Sequence, residues 1–318
     1  MNSKRIVFTG ILFIIFTFVI TSCKKNDNPG KNDNNPIEKQ MLKFENFNEF
    51  EKAWNEVNSN NISETRNMLK SQNNYASFAE EADEFYFSID IDSFISSENI
   101  LSFINEHQAY LSISYDDEGD MVIEPAVSNN LMRAFMNEDR LFQIADSVYK
   151  VFETVTVGTK TADIQLLMET EESDVAQLVS SGNASYLRYE TGMYSYRTVY
   201  WANNKRLVAR LFLWHIGIQY EYEAKSTAQK RVAGTWWQVR IGSIGIKHNG
   251  GYVVFSGWGS KSIPPATYTL TNKAVCEEKL LIASDNNGVN HAESSLILTH
   301  FGTYDGNYKE IPQNEVFR

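Results

Sequence analysis

From Met41 onward the spacing of hydrophobic positions changes several times, and those changes divide the chain. Phe44, Phe47, Phe50, Trp54 and Val57 recur at three- and four-residue steps with Glu45, Glu49 and Glu56 between them, which predicts an amphipathic helix. A second short helix is expected from Ser63, and a third over Ser77 to Phe87. Ser96-Ser97-Glu98 caps a fourth, which carries Ile100, Leu101 and Ile104. The period then shortens to two. Tyr110 to Tyr115 and Met121 to Ile123 alternate around Asp116-Asp117-Glu118-Gly119-Asp120, the pattern of a hairpin closed by an Asx/Gly turn. Ser128 to Asn137 and Thr161 to Val179 read as helix, with a hairpin over Leu141 to Phe152 between them.

After Ser180-Ser181-Gly182-Asn183 the helical pattern gives way to strands. Leu207 to Tyr222 predicts one long strand, with Val208, Phe212, Trp214, Ile216, Ile218, Tyr220 and Tyr222 on one face. Leu207, Ala209, Leu211 and Leu213 begin the other face, so its first half must be covered on both sides. Shorter strands are expected over Trp236 to Ile246, Gly251 to Ser256, Thr267 to Leu270 and Ser294 to Phe301, joined by Gly-, Asn- and Pro-rich turns. The expected fold class is therefore α+β: a helix-dominated N-terminal domain over 41–182, followed by an antiparallel β-sandwich over 183–318.

Ahead of both lies a different pattern. Lys4 and Arg5 precede an almost unbroken apolar run from Ile6 to Ile20, followed by Thr21, Ser22 and Cys23. This is the layout of a secretory signal, too short for a comfortable membrane span, which needs about 20 apolar residues. Ile-Thr-Ser-Cys resembles the bacterial lipobox. That resemblance implies cleavage after residue 22, with diacylglycerol and palmitate on Cys23 and attachment to the cell envelope at the outer membrane. Residues 24–40, KKNDNPGKNDNNPIEKQ, bury nothing, and 23–40 read as a flexible tether.

Charge sharpens the division. The whole chain carries −11, but 41–180 hold 8 Lys/Arg against 27 Asp/Glu, while 181–318 hold 15 against 10. Between Lys70 and Arg133 there are 13 acids and no base. Such a stretch either solvates a surface, docks onto the basic half or binds divalent cations. The net charge argues against nucleic acid as a partner. With Cys23 acylated, Cys276 stands alone and no intrachain disulfide can form.

Phe44-x-x-Phe47-x-x-Phe50, Leu131-x-x-x-Phe135-Met136-Asn137 and Phe142-Gln143-Ile144-Ala145-Asp146-Ser147-Val148-Tyr149-Lys150 follow in an order that resembles uncharacterised lipoproteins common in Bacteroidetes. Lys230 to Trp236 and Ile241 to Lys247 are similar to the same group, with Ala145 where it tends to have Gly. The resemblance implies location and lineage, and brings no activity with it.

The chain shows no GxSxG, HExxH, Walker or GxGxxG motif, and its five histidines are scattered, so no catalytic residue, metal ligand or cofactor is assigned. Asp285-Asn286-Asn287-Gly288 departs from calcium-loop spacing and reads as a turn. Five of the six tryptophans fall between Trp201 and Trp258. Trp236, Trp237 and Trp258 are the candidate ligand-binding residues, either core or presented to a glycan or protein. The expected function is a non-enzymatic binding or adhesion module. A structural partner of another envelope protein is the second expectation, and a glycan hydrolase the third.

Overall fold

The computed structural model describes residues 41–313 apart from 59–60, 74, 76, 217–218, 256–258, 285–291 and 295. The signal and tether, Cys23, Trp258 and the Asp285 turn lie outside the described residues. Among the described residues the first elements are β1 (Leu42–Phe44) and, after two intervening residues, α1 (Phe47–Glu56). Asn46 caps α1 by accepting from the Glu49 amide, and Phe50 and Trp54 form its buried face. Three more helices follow: α2 (Ile62–Asn73), α3 (Phe78–Ser88, capped by Ser77) and α4 (Ser97–Glu106, capped by Ser96). A hairpin of β2 (Leu111–Tyr115) and β3 (Met121–Pro125) closes on Asp116, whose Oδ1 accepts from the amides of Glu118 and Asp120.

The short α5 (Asn130–Arg133) leads to a three-strand meander, β4 (Leu141–Ile144), β5 (Ser147–Val151) and β6 (Val155–Lys160). Ala145 takes the left-handed turn position between the first two, at φ 53°. After α6 (Ile164–Glu169) and α7 (Val175–Ser180) come β7 (Ser185–Ala202), β8 (Lys205–Ile216), β9 (Gln219–Val232) and β10 (Thr235–Gln238). The remaining strands are β11 (Ile241–His248), β12 (Gly251–Phe255), β13 (Gly259–Ile263), β14 (Ala266–Lys273), β15 (Val275–Ser284), β16 (Ala292–Ser294), β17 (Leu298–Tyr304) and β18 (Asn307–Gln313).

These strands correct the expected fold class. The protein is mostly β, built on a curled, half-barrel sheet of mixed direction rather than a helical domain beside an antiparallel sandwich. Its strand order is β1-β4-β5-β6-β7-β8-β9-β10-β3-β2, with β15 also paired to β9. Two joints are parallel, β1 with β4 and β3 with β10. The sheet passes position 182/183 without a break, because β7 pairs back onto β6, and Ile37–Arg318 forms one compact unit. The helices are short, α1 to α4 spanning 10 to 12 residues, α5 four and α6 and α7 six each, and the strands carry most of the fold. The expected long strand from Leu207 to Tyr222 is instead the hairpin of β8 and β9, pairing Ile216 with Gln219.

One face of β8 and β9 is apolar. Leu207, Ala209, Leu211, Leu213, Tyr222, Ala224 and Ala228 pack against Ile244 and Ile246 of a second sheet, ordered β14-β11-β17-β18. A three-strand sheet, β13-β12-β16, completes the fold. The opposite face is polar, and it holds the candidate site.

Candidate functional site

Alternation along paired strands places Arg188 and Glu190 of β7, Arg206, Arg210 and Trp214 of β8, and Glu221, Glu223 and Lys225 of β9 on one face. Glu277 of β15 pairs opposite Lys225 and joins them. The hairpin of β2 and β3 brings in Ser112, Ser114 and Glu124 from the other side, through the parallel joint to β10. In an ordinary half-covered sheet such residues would face water. Here Arg206, Glu221, Glu223 and Gln229 are completely buried, and Lys225 and Glu277 almost so.

The burial is made tolerable by pairing. Arg188 lies 2.9 Å from Glu223 and 3.5 Å from Glu221, with its guanidinium 3.5 Å above the Trp214 ring. Glu221 also accepts from the Trp54 indole of α1, and Glu223 accepts from the Asn129 amide with both oxygens. Lys225 donates to the Ser128 carbonyl, and Glu277 accepts from the Asn130 amide. The acidic stretch between Lys70 and Arg133 contributes as well. Asp92 meets Lys230 at 2.6 Å, Asp116 meets Arg206 at 2.7 Å, Asp120 meets Arg231 at 2.7 Å and Glu124 meets Arg210 at 3.5 Å. Of the uses open to those acids, docking onto the basic half is the one these pairs display.

Between these groups lies a cleft of 490 Å³. Six carboxylates line it, Glu124, Glu153, Glu172, Glu190, Glu223 and Glu277, against two cations, Arg210 and Lys225. Most of the carboxylates already have work. Glu153 clasps the amides of Val127 and Ser128 at 2.6 and 2.7 Å, and Glu172 clasps those of Glu153 and Thr154. The half-buried Glu190 differs, its side chain having no hydrogen-bond partner among the described residues. Phe212 and Tyr115 supply ring surface, Tyr115 being 69% exposed at the rim, while the Trp214 ring lies under Arg188. Trp214 is almost wholly buried, yet its indole N–H has no acceptor among the described residues.

Ionisation differs around the cleft. Burial pushes Glu190 above the usual carboxylate range, opposed by Arg188 and Arg210. Burial pushes Glu223 well above it, and the adjoining Glu277, with which it shares a hydrogen bond, adds to the push. For Glu124 burial also acts upward, but the charges of Arg210 and Lys225 outweigh it and hold the carboxylate below its ordinary value. The cleft thus pushes some of its carboxylates up and holds another down.

No family model, curated protein or solved structure matches this chain. What the cleft does must be read from its own chemistry.

The residues singled out in the sequence stand elsewhere. Trp237 is fully enclosed, stacked on Phe94 at 5.4 Å and packed beside Tyr86, so it belongs to the core beneath α3 and α4. Trp236 is buried on the polar face, capped by Arg206 at 3.9 Å and donating to Asp120. Neither ring offers a face to a ligand, because the sheet is covered on both sides where the pair sits. Cys276 is buried against the second sheet, which raises its thiol well above the ordinary value. Among the described residues no group of three or more His, Cys, Asp or Glu could hold a metal ion. The cleft residues were missed because charges alternating along β9 resemble a solvated edge. The available signal was their mixed sign: Arg206, Arg210, Glu221, Glu223 and Lys225 alternate with apolar residues that already demand cover.

Proposed function

We propose that this protein is an envelope-anchored binding module whose polar cleft takes a polyhydroxylated ligand, a segment of glycan. The single observation behind this is the cleft's make-up: it is lined by carboxylates, by the Phe212 and Tyr115 rings and by Trp214, whose buried N–H has no acceptor among the described residues. Sugars present hydroxyls that both donate and accept, and apolar ring faces that lie against aromatic side chains, so this mixture of groups suits them. Glycan arrays probed with the detergent-extracted mature chain test it. Binding should weaken about tenfold in Phe212→Ala and in Glu190→Gln, the size expected for roughly 1.4 kcal/mol of lost contact. Absence of any saccharide ligand, or wild-type affinity in both variants, would overturn it.

A hydrolase is the second reading, favoured by Glu190 and Glu124 being pushed in opposite directions. Glycoside hydrolysis needs such a division of labour between acid and base. Turnover of an aryl glycoside that disappears in Glu190→Gln but leaves glycan binding intact would select it over pure binding.

The anchor is proposed on the lipobox resemblance alone. Labelled palmitate should enter the wild-type chain and not Cys23→Ser, which should leave the membrane fraction.

A further inference from the structure

A second cavity, of 170 Å³, lies between α2, α3, α5 and the start of β11, and its electrostatics are the reverse of the cleft's. Four cations line it, Arg66, Arg133, Arg240 and Lys273, and the one carboxylate in its wall is Asp83. In a chain of net charge −11 this is a local inversion of sign. Arg66 is 9% exposed and Arg133 3%, so neither guanidinium can rely on bulk water. They share a single acid: Arg133 Nη1 stands 2.8 Å from one oxygen of Asp83 and Arg66 Nη1 3.7 Å from the other. Glu80, one turn earlier on α3, adds a more distant negative charge.

The hydrogen-bond inventory is also incomplete. The Nε–H groups of both Arg66 and Arg133 are buried without an acceptor among the described residues. A buried guanidinium ordinarily has its donors satisfied, because leaving one unmet carries a desolvation cost. Burial accordingly lowers the pKa of Arg66, and the neighbouring Arg133 charge pushes the same way. Arg240 and Lys273 stand exposed at the mouth, Arg240 with its guanidinium 4.2 Å over the Phe87 ring. The cavity thus has two deep forks sharing one adjacent carboxylate and two exposed rim charges. Ser63, Asn130 and Gln238 add neutral polar groups to the wall.

We propose that this cavity binds a tetrahedral oxyanion, a phosphate or sulfate group, with Arg66 and Arg133 as deep ligands and Arg240 and Lys273 closing over it. Planar guanidinium forks match such oxyanions in geometry as well as charge. The group arrives either as the free inorganic ion or as an ester on a larger molecule. The site is independent of the glycan cleft, and either can fail without the other.

The test uses the mature chain in detergent at constant ionic strength, with sodium chloride as the control salt. Inorganic phosphate, inorganic sulfate and phenyl phosphate are titrated separately, followed by thermal melting and, for the phosphorus probes, by ³¹P line width. Saturable binding of phosphate or sulfate is expected, with a rise in melting temperature that chloride does not reproduce. Tighter binding of phenyl phosphate than of inorganic phosphate would assign the group to an ester. Arg66→Gln should lower affinity at least tenfold. Arg240→Ala/Lys273→Ala, altered only at exposed positions, should lower it at least threefold and decides the matter if Arg66→Gln does not fold. Glu190→Gln in the other cleft should leave it unchanged. Equal stabilisation by chloride, or undiminished affinity in the Arg240→Ala/Lys273→Ala variant, overturns the proposal.

Discussion

Arg210 and Leu211 are neighbours in β8, yet they enter two unlike interiors. On the Leu211 side, aliphatic residues of β8 and β9 meet the isoleucines of β11, and little but shape distinguishes one contact from the next. On the Arg210 side the same strands, with Arg188 of β7, bury Arg206, Glu221, Glu223 and Lys225, each dependent on a named partner. The apolar face stabilises by area removed from water, at about 25 cal/mol per Å². The polar face holds charges whose desolvation costs several kcal/mol per ion, and pairing offsets that cost without much surplus. A sheet that commits one side to so expensive an arrangement does so for specificity or for a ligand. The binding role proposed above is the second of these.

The contrast can be broken most forcefully at Arg188. Arg188→Met leaves Glu221 and Glu223 buried beside each other without their guanidinium and should cost about 3–5 kcal/mol in a denaturant melt. Replacing all three in Arg188→Met/Glu221→Leu/Glu223→Leu should recover most of that loss, since an apolar substitute carries no desolvation penalty. If the triple variant is no more stable than the single one, the pairing is worth more than its desolvation. On the other face Leu211→Ala should cost roughly 3 kcal/mol, for lost burial and a cavity against β11. No partner change should rescue it short of refilling the space.

His300 tests the apolar side with pH. It is fully buried between Ser226 and Gln313, and burial pushes its imidazole down to about 4. The unfolded chain takes up that proton at the ordinary value of about 6.5. The contribution to stability is therefore complete above 6.5 and is lost as pH falls from 6.5 towards 4, by on the order of 3 kcal/mol. His300→Gln should flatten that part of the pH–stability curve; an unchanged slope would place the proton elsewhere. The smallest effect belongs to the exposed pair of Lys160 and Asp146, where Asp146→Ala should leave the melting midpoint unmoved.

Much of the local structure was legible. Ser77 and Ser96 cap helices where expected, the Asp116 turn closes its hairpin, and Leu207, Ala209, Leu211 and Leu213 share a face. The long-range arrangement was not. Phe44 falls on the spacing of α1 but belongs to an edge strand, because three residues carry too little pattern to separate the two. The charges of β9 read as a solvated face, since nothing in the local pattern reports the polar layer that covers them. The two cavities draw residues from positions more than a hundred apart, and periodicity says nothing about such meetings.

The parallel joint of β3 with β10 has a temporal meaning. Val122 and Ile123 find Trp236 and Trp237 only after more than a hundred further residues have been made. A chain delivered from its N-terminus can close the β2–β3 hairpin at once, but the strand edge it must join does not yet exist. Until synthesis reaches that point, Val122 and Ile123 are an unclaimed apolar template. Maturation of this protein should therefore be slow, late and exposed to holding by chaperones.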